Sequence, residues 1–225
     1  MSQQFNFNYA VNLDRQPVFT YAHNPLNKKE YLEWHDIIDI KVPLFTDPSI
    51  LLGKRVPLPL HGRNPRSILT ELDEDWWNRT RKKVYESQDR HCACCGTPQA
   101  KQKGWITNQL DAHEVYDIDW KTGEVRLAYI VPLCKYCHNY VHFGRLTAQK
   151  DSGKIQEKTF YSIISHGNSI LKANNLPMKN LDASVDDNVY HVPWNEWHLT
   201  LTVEGEDKSY YSLFKDKEEL EAHYA

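Results

Sequence analysis

Two Cys-x-x-Cys pairs constrain this 225-residue chain more than any other feature of its sequence. A Cys-x-x-Cys turn brings two thiolates side by side, and two such turns can complete a tetrahedral zinc site. The fifth cysteine, Cys94, breaks the two-residue spacing and is expected to be a spare thiol. The sequence therefore predicts one structural Zn²⁺ ion held by Cys92, Cys95, Cys134 and Cys137.

The segment between the two pairs carries the pattern of a β-hairpin. Residues 109–116 predict the first strand, and residues 125–133, which are rich in β-branched side chains, predict the second. Residues 117–124 predict the turn, because they are polar and contain a glycine. A helix is expected to begin at Lys135 and to end near Gly144 and the arginine after it.

Three histidines and a glutamate fall on this hairpin and helix. His113 and Glu114 are neighbours on the first strand, and His138 and His142 share one face of the helix, one turn apart. Imidazoles bind divalent cations, so the three histidines are candidates for a second metal site, with a carboxylate next to one of them.

The phrases Leu-Asp-Ala-His-Glu and Val-Pro-Leu-Cys-x-x-Cys-His-x-x-x-His resemble the ββα-metal core of the HNH nucleases, in the subgroup with a four-cysteine zinc. The resemblance spans roughly residues 76–146, about a third of the chain. It implies an α+β fold, in which a ββα-metal (HNH) core with structural zinc is flanked by an N-terminal strand/loop region and a C-terminal helix plus β-hairpin. It also implies a metal-dependent endonuclease that hydrolyses phosphodiester bonds of DNA, by nicking or by double-strand cutting.

The resemblance assigns roles to the candidate residues. It implies a catalytic ion, Mg²⁺ or Mn²⁺ with Zn²⁺ or Ni²⁺ also suited to imidazoles, held by His113, His138 and His142. Glu114 then falls on the position of the general base. In an alternative alignment with the family pattern, His113 is the base and Ala112 falls on a ligand position. Alanine has no donor atom for a metal, so the first alignment is preferred.

Two departures from the family pattern keep a second function open. Tyr129 stands where the family has the asparagine that gives HNH its middle letter. The carboxylate of Glu114 stands where the family has a histidine as general base. These changes favour the alternative of a catalytically degenerate HNH-fold zinc module that binds DNA or a protein partner without cutting.

Charge is unevenly distributed, although the net charge is only −3. Residues 79–103 carry seven Lys or Arg against two acids, whereas residues 182–225 carry eleven acids against three lysines. The basic centre predicts contacts with DNA phosphates, with RNA left open as a substrate, and the acidic end is a candidate surface for a protein partner. The residues expected to contact nucleic acid are Arg81, Lys82, Lys83, Lys101, Lys103 and Arg145.

The chain divides into four regions. Residues 1–70 predict a strand- and loop-rich region, 71–150 the zinc-stabilised core, 151–181 a helical segment and 182–225 an acidic hairpin/helix element. Finer expectations are a strand pair at 4–11 and 18–21, a strand at 35–42, a loop at 49–69, helices at 71–89 and 155–174, a hairpin at 197–214 and a helix at 217–223.

Neither a secretion signal nor a membrane-spanning run is recognisable in the sequence. No stretch reaches 18 uninterrupted apolar residues, and the first residues combine neither a basic start nor an apolar run. The cysteines occur in the pattern of metal ligation, which suits a reducing compartment. We therefore expect a cytoplasmic protein of a bacterial cell or a phage-infected host, without membrane contact.

Overall fold

A computed structural model describes the chain at residues 7–11, 17–21, 31–43, 46–53, 56–99, 109–179 and 191–224. Lys101, Lys103 and the polar residues 182–188 lie outside the described residues. Within them the fold is mixed α/β, with six α-helices, one four-stranded sheet and two further β-hairpins. None of the described helices combines the length and the apolarity needed to cross a bilayer.

Two antiparallel hairpins lie near the start of the chain: β1 (Phe7–Val11) with β2 (Pro17–Tyr21), and β3 (Tyr31–His35) with β4 (Asp39–Pro43). The first hairpin confirms the pairing predicted from residues 4–11. The second corrects the single strand predicted at 35–42. Asp36 reverses the chain there, because its carboxylate accepts a hydrogen bond from the backbone N–H of Ile37.

The loop predicted at 49–69 is also corrected, because its end belongs to helix α1 (Pro65–Leu72). Pro65 occupies the first helical position, where its missing N–H costs nothing. The side chain of Asn64 caps the helix by accepting a hydrogen bond of 2.8 Å from the backbone N–H of Ser67. Helix α2 (Trp76–Ser87) follows and occupies the middle of the helix predicted at 71–89.

The predicted central hairpin is confirmed, and its strands are longer than predicted. Strands β5 (Leu110–Asp119) and β6 (Glu124–Cys134) pair antiparallel, with a register shift between Val115 and Tyr116. Helix α3 (Lys135–Val141) follows β6 directly, so two strands and a helix are consecutive in the chain.

The predicted end of this helix near Gly144 is wrong. The chain leaves helical geometry at His142, where φ is −87° and ψ is 48°, and helix α4 (Phe143–Asp151) begins at the next residue. Gly144 and Arg145 therefore lie inside α4. Glycine weakens a helix interior but does not end it unless it adopts positive φ.

The remaining elements are helix α5 (Glu157–Ala173), strands β7 (His198–Val203) and β8 (Glu206–Tyr211), and helix α6 (Lys217–Tyr224). These confirm the helix, the hairpin and the short helix predicted for this part of the chain. Strand β7 also pairs in parallel with β6, which gives the sheet the order β5-β6-β7-β8. The C-terminal hairpin thereby extends the central sheet.

Side chains pack into two cores on opposite faces of the β5–β6 hairpin. The first core receives Trp76 from α2 and Trp197 from the segment before β7. The second core receives Tyr140 from α3 and contains the five buried cysteines. Alternation along β6 directs Ile130 into the first core and the adjacent Val131 into the second.

Gly167 allows α5 to pack directly against α3. A Cβ added at Gly167 would overlap the ring of Tyr140, which is fully buried and donates a hydrogen bond of 2.7 Å from its hydroxyl to Asn168 Oδ1. We expect Gly167→Ala to lower the free energy of unfolding by roughly 1–3 kcal/mol, because the buried ring cannot yield without moving its helix. Chemical denaturation measures this loss.

Ser165→Ala is the matched control for that substitution. Ser165 is exposed on the same helix, so the change adds no overlap and improves helix propensity slightly. Equal stability of the Gly167 and Ser165 variants would contradict the close approach of α3 and α5.

Candidate metal centres

Four of the five cysteines form a compact group in the second core. Their sulfur atoms all lie within 4.8 Å of one another, and those of Cys95 and Cys134 are 3.7 Å apart. A tetrahedral zinc site with metal–sulfur bonds of about 2.3 Å has sulfur–sulfur edges of about 3.8 Å. The group Cys92, Cys95, Cys134 and Cys137 therefore has the composition and spacing to hold a metal ion such as zinc.

Backbone geometry explains how each pair meets. In the first turn Gly96 adopts φ 70°, and its N–H donates a hydrogen bond of 2.8 Å to Cys92 O. Glycine reaches this left-handed conformation without the steric cost of a Cβ. In the second pair Cys134 ends β6 and caps α3, since its sulfur accepts a hydrogen bond from the N–H of Cys137. The first turn is joined to the end of β6 by a hydrogen bond of 2.8 Å from the backbone N–H of Ala93 to the carbonyl of Pro132.

Geometry, rather than acidity, separates Cys94 from the group of four. Burial raises the pKa of the Cys94 thiol well above its ordinary value, as it does the pKa of Cys137 inside the group. Hydrogen bonds with Cys134 and Cys137 lower the pKa of Cys95 to about 6, which favours the thiolate that metals bind. Cys94 lies outside the group of four, as the spacing predicts.

A residue that the sequence did not suggest touches this group. His166 on α5 places its Nε2 atom 3.5 Å from Cys137 Sγ, and its ring stacks edge-on against Tyr136. A ring N–H directed at a metal-bound thiolate stabilises its charge and orients it. His166 is 29 positions from Cys137 along the chain, and no local spacing connects them.

Three imidazoles form the second candidate centre. His113 comes from β5, His138 from α3 and His142 from the junction of α3 and α4, and their ring nitrogens all lie within 4.8 Å of one another. Their ring centres are 4.7, 4.9 and 5.4 Å apart, with interplanar angles of 69–85°. The structure thus brings together all three predicted ligands.

The separations of 4.7 and 4.9 Å fit a shared cation, and the third, 5.4 Å, is slightly longer than the fit requires. A metal about 2.1 Å from each reactive nitrogen lies about 3.2 Å from each ring centre. If the nitrogen–metal–nitrogen angle lies between about 90° and the tetrahedral value, two ring centres are about 4.5–5.3 Å apart. Burial is the main cause that lowers the pKa of His113 and the pKa of His142, the latter to about 3. Both imidazoles are therefore neutral near pH 7, and a neutral imidazole is the form that binds metals.

Asp111 orients the third imidazole. Its carboxylate lies 2.8 Å from His138 Nδ1 and accepts two hydrogen bonds, of 2.6 and 2.7 Å, from Lys135 Nζ. Burial alone would raise the pKa of Asp111, but the contacts with His138 and Lys135 outweigh it and lower the pKa to about 2. The ionised carboxylate only accepts, so Nδ1 of His138 carries the proton and Nε2 presents its lone pair to the cluster.

Sequence reasoning missed Asp111, although a signal was present. Asp111 and His113 are two positions apart on one strand and therefore share a face of the sheet. The partner that gives Asp111 its role, His138, becomes visible only when α3 lies across that face.

Replacing Asp111 should weaken the histidine centre. We expect Asp111→Asn to lower the affinity for the second metal ion about 10–100-fold, the usual effect of removing a carboxylate that orients a metal-binding histidine. Asp117→Asn, at an exposed position of the same strand, is the matched control. Competition with a chromogenic chelator measures both affinities, and equal values would show that Asp111 does not support the centre.

The structure does not bring Glu114 to the histidines. Glu114 pairs across the hairpin with Ile130 of the first core, whereas His113 pairs with Val131 of the second. Paired residues of antiparallel strands share a face, so the two side chains leave β5 on opposite sides. The register shift at Val115 comes after Glu114 and leaves this alternation unchanged.

The surroundings of Glu114 agree with that placement. Burial raises the pKa of its carboxyl group, and the charge that acts on it is that of Arg66 on α1. Burial, and after it the charge of Glu114, raise the pKa of Tyr116, whose ring packs against the first core.

The predicted nucleic-acid contacts that the structure describes lie on two helices. Arg81, Lys82 and Lys83 are exposed on α2, and Arg145 is exposed on α4 beside the histidine centre. Lys101 and Lys103 lie outside the described residues, so their roles stay predictions.

Comparisons of the chain with protein families, with curated proteins and with solved structures find no match. The function must therefore be inferred from the residues themselves and from the geometry that the fold gives them.

Proposed function

We propose that the protein is a metal-dependent endonuclease of the HNH type that hydrolyses phosphodiester bonds of DNA. The observation that carries the proposal is the convergence of His113, His138 and His142 from a strand and the helix that follows the hairpin. Cys134 and Cys137 of the four-cysteine group lie at the end of that hairpin and on that helix, so a structural zinc would join these elements to the turn that holds Cys92 and Cys95.

The donor set constrains the second ion. Three neutral nitrogen ligands suit Zn²⁺ or Ni²⁺ better than Mn²⁺ or Mg²⁺, which prefer oxygen ligands. Three protein ligands also leave coordination positions for water and substrate, as in catalytic metal sites. A divalent cation bound there would polarise a phosphoryl oxygen and stabilise the charge that develops on the leaving oxygen.

The residues of the chain contribute orientation and charge. Asp111 fixes the ring of His138, and burial keeps His113 and His142 neutral. Arg145 on α4 and the exposed basic residues of α2 are proposed to contact backbone phosphates. The resemblance assigns the general base to Glu114, but its position on the other face of β5 does not support that role, and we leave it out of the proposed mechanism.

The position of Glu114 favours the second candidate function, a zinc-stabilised module that binds nucleic acid without cutting. An HNH-type site without a base in contact with the attacking water would bind phosphates yet hydrolyse them poorly. The histidine geometry would then serve binding alone.

A nicking assay on supercoiled plasmid separates the two functions. The protein would be incubated with Mn²⁺, Mg²⁺, Zn²⁺, Ni²⁺ or a chelator, and metal content per chain would be measured in parallel. Metal-dependent nicking by a protein that binds one ion beyond the structural zinc supports the endonuclease. A protein that binds DNA and that ion but does not nick the plasmid supports the binding module. The same assay with single-stranded RNA tests whether RNA is the substrate.

A further inference from the structure

A zinc ion held by four buried thiolates leaves negative charge that the surrounding residues must balance. Four thiolates around a divalent ion carry a net charge of about −2, and each of the four cysteines is at most 1% exposed. Buried charge is costly unless hydrogen-bond donors meet it. The backbone N–H of Cys137 reaches Cys134 Sγ, and the hydroxyl of Thr97 lies 3.1 Å from Cys95 Sγ. Both of these groups belong to the cysteine turns themselves.

His166 brings a further donor from a distant part of the chain. It lies on α5, and its Nε2 atom is 3.5 Å from Cys137 Sγ, the same distance at which the N–H of Cys137 meets Cys134 Sγ. A metal-bound thiolate has no proton to give, so the hydrogen of this contact belongs to the imidazole ring. The ring also contacts Tyr136 edge-on, with ring centres 5.3 Å apart. With zinc bound, His166 therefore donates from Nε2 to Cys137.

The two residues after His166 explain why α5 comes so close to α3. Gly167 allows the approach, because a Cβ at that position would overlap the ring of Tyr140. Asn168 accepts a hydrogen bond of 2.7 Å from the hydroxyl of the same tyrosine. Three consecutive residues of α5 thus contact the helix that carries Cys137.

We propose that His166 is a positioning residue of the zinc centre and that, through its hydrogen bond to Cys137, the ion fixes α5 as well as α3. The inference goes beyond the proposed endonuclease function and does not depend on it, because it concerns how the chain holds its structural ion. Donation from Nε2 stabilises the charge of the thiolate and fixes its orientation, so the ion is bound more tightly. In return, the metal-bound thiolate anchors α5 through a charged acceptor, which a protonated thiol does not provide.

Two substitutions at His166 separate hydrogen bonding from packing. His166→Phe keeps an aromatic ring against Tyr136 but has no N–H, whereas His166→Gln loses the ring but keeps an N–H donor at a similar reach. Ser165→Ala is the matched control, because Ser165 is exposed on the same helix. Competition with a chromogenic chelator measures zinc affinity. The sulfur-to-metal charge-transfer absorption of the Co²⁺-substituted protein reports on the hydrogen bond at the sulfur.

His166→Phe should bind zinc about 10–100-fold more weakly, the usual effect of removing a group that orients a metal ligand. Its Co²⁺ charge-transfer band should move to longer wavelength, because a thiolate without that hydrogen bond releases its electrons more easily. His166→Gln and Ser165→Ala should keep the affinity and the band of the wild type. Wild-type affinity and band in His166→Phe would reduce His166 to a packing residue and overturn the proposal. Equal losses in His166→Phe and His166→Gln would do the same, since they would follow the ring and not the donor.

Amide hydrogen exchange tests the anchoring of α5. At saturating zinc, the amides of α5 should exchange faster in His166→Phe than in the wild type, because one of the contacts that hold this helix is lost. The amides of α2, which packs in the first core, should exchange equally in both proteins. Equal exchange of α5 in the two proteins would overturn the anchoring.

The His166→Gln variant decides the matter if His166→Phe does not fold. It must match the wild type in zinc affinity, in the Co²⁺ band and in the exchange of α5, and a loss in any of the three overturns the proposal. Neither the metal measurements nor the exchange measurement contains DNA, so the outcome of plasmid nicking has no bearing on this result.

Discussion

Removal of the zinc ion is expected to unfold the second core and the hairpin that both cores share. Structural zinc contributes about 10–16 kcal/mol in small zinc domains, which equals or exceeds the whole stability of a typical domain. The four thiols are buried at the junction of β6, α3 and the turn after α2. Removal of the ion therefore leaves four sulfur groups in that core without the metal that would hold them together. Chelator titration followed by near-ultraviolet circular dichroism measures the transition.

Adjacent cysteines provide the control for this prediction. Cys95→Ser removes a proposed ligand, whereas Cys94→Ser changes a buried thiol outside the group of four. We expect the Cys95 variant to bind no zinc and to lose its cooperative unfolding transition, while the Cys94 variant keeps both. Equal zinc content in the two variants would exclude Cys95 from the site.

The fluorescence of Trp76 and Trp197 shows how far the unfolding spreads. Both indoles are fully buried in the first core, which shares β5 and β6 with the second. Because Ala112 and Ile130 belong to the first core, loss of the hairpin should expose both indoles and shift their emission to the red.

Loss of His113 is expected to abolish both the second metal ion and DNA cutting. His113→Ala removes one of three ligands, and the stabilisation that a metal gives a phosphoryl transition state is several kcal/mol, so cutting should fall at least about 10³-fold. The neighbouring substitution Glu114→Gln should retain the ion and cut at the wild-type rate, because its carboxylate faces the first core. Metal analysis and plasmid nicking of both variants supply the comparison.

Other outcomes would assign the roles differently. A loss of about 10²–10⁴ in rate on Glu114→Gln, with the ion retained, is the effect of removing a general base and would require β5 to rearrange when substrate binds. An ion retained by His113→Ala together with lost cutting would make His113 the base, as the alternative alignment holds. Absence of cutting by the wild type would leave the DNA-binding module as the function.

Local patterns account for what was predicted correctly. The Cys-x-x-Cys spacings, the two-residue period of β5 and β6, and the one-turn separation of His138 and His142 all act over a few positions. Short-range geometry therefore indicated the thiol group and the candidate histidines before any long-range contact was known.

The errors arose where one residue changed a local trend. Asp36 turns the predicted strand at 35–42 into a hairpin, and Pro65 with its cap Asn64 begins a helix inside a predicted loop. At His142 the backbone leaves helical geometry for one residue, which ends α3 and begins α4. Each of these depends on a side-chain contact or a dihedral angle that residue type alone does not specify.

By itself the sequence determined which side chains can bind metal and, through strand periodicity, that His113 and Glu114 point to opposite faces of β5. Only the tertiary structure decided which of those faces meets α3, and hence that the imidazole joins the cluster while the carboxylate lies on the face of the first core. It also brought His166 to the cysteine group. Such contacts join distant segments and depend on how the two cores pack, which no pattern of neighbouring residues encodes.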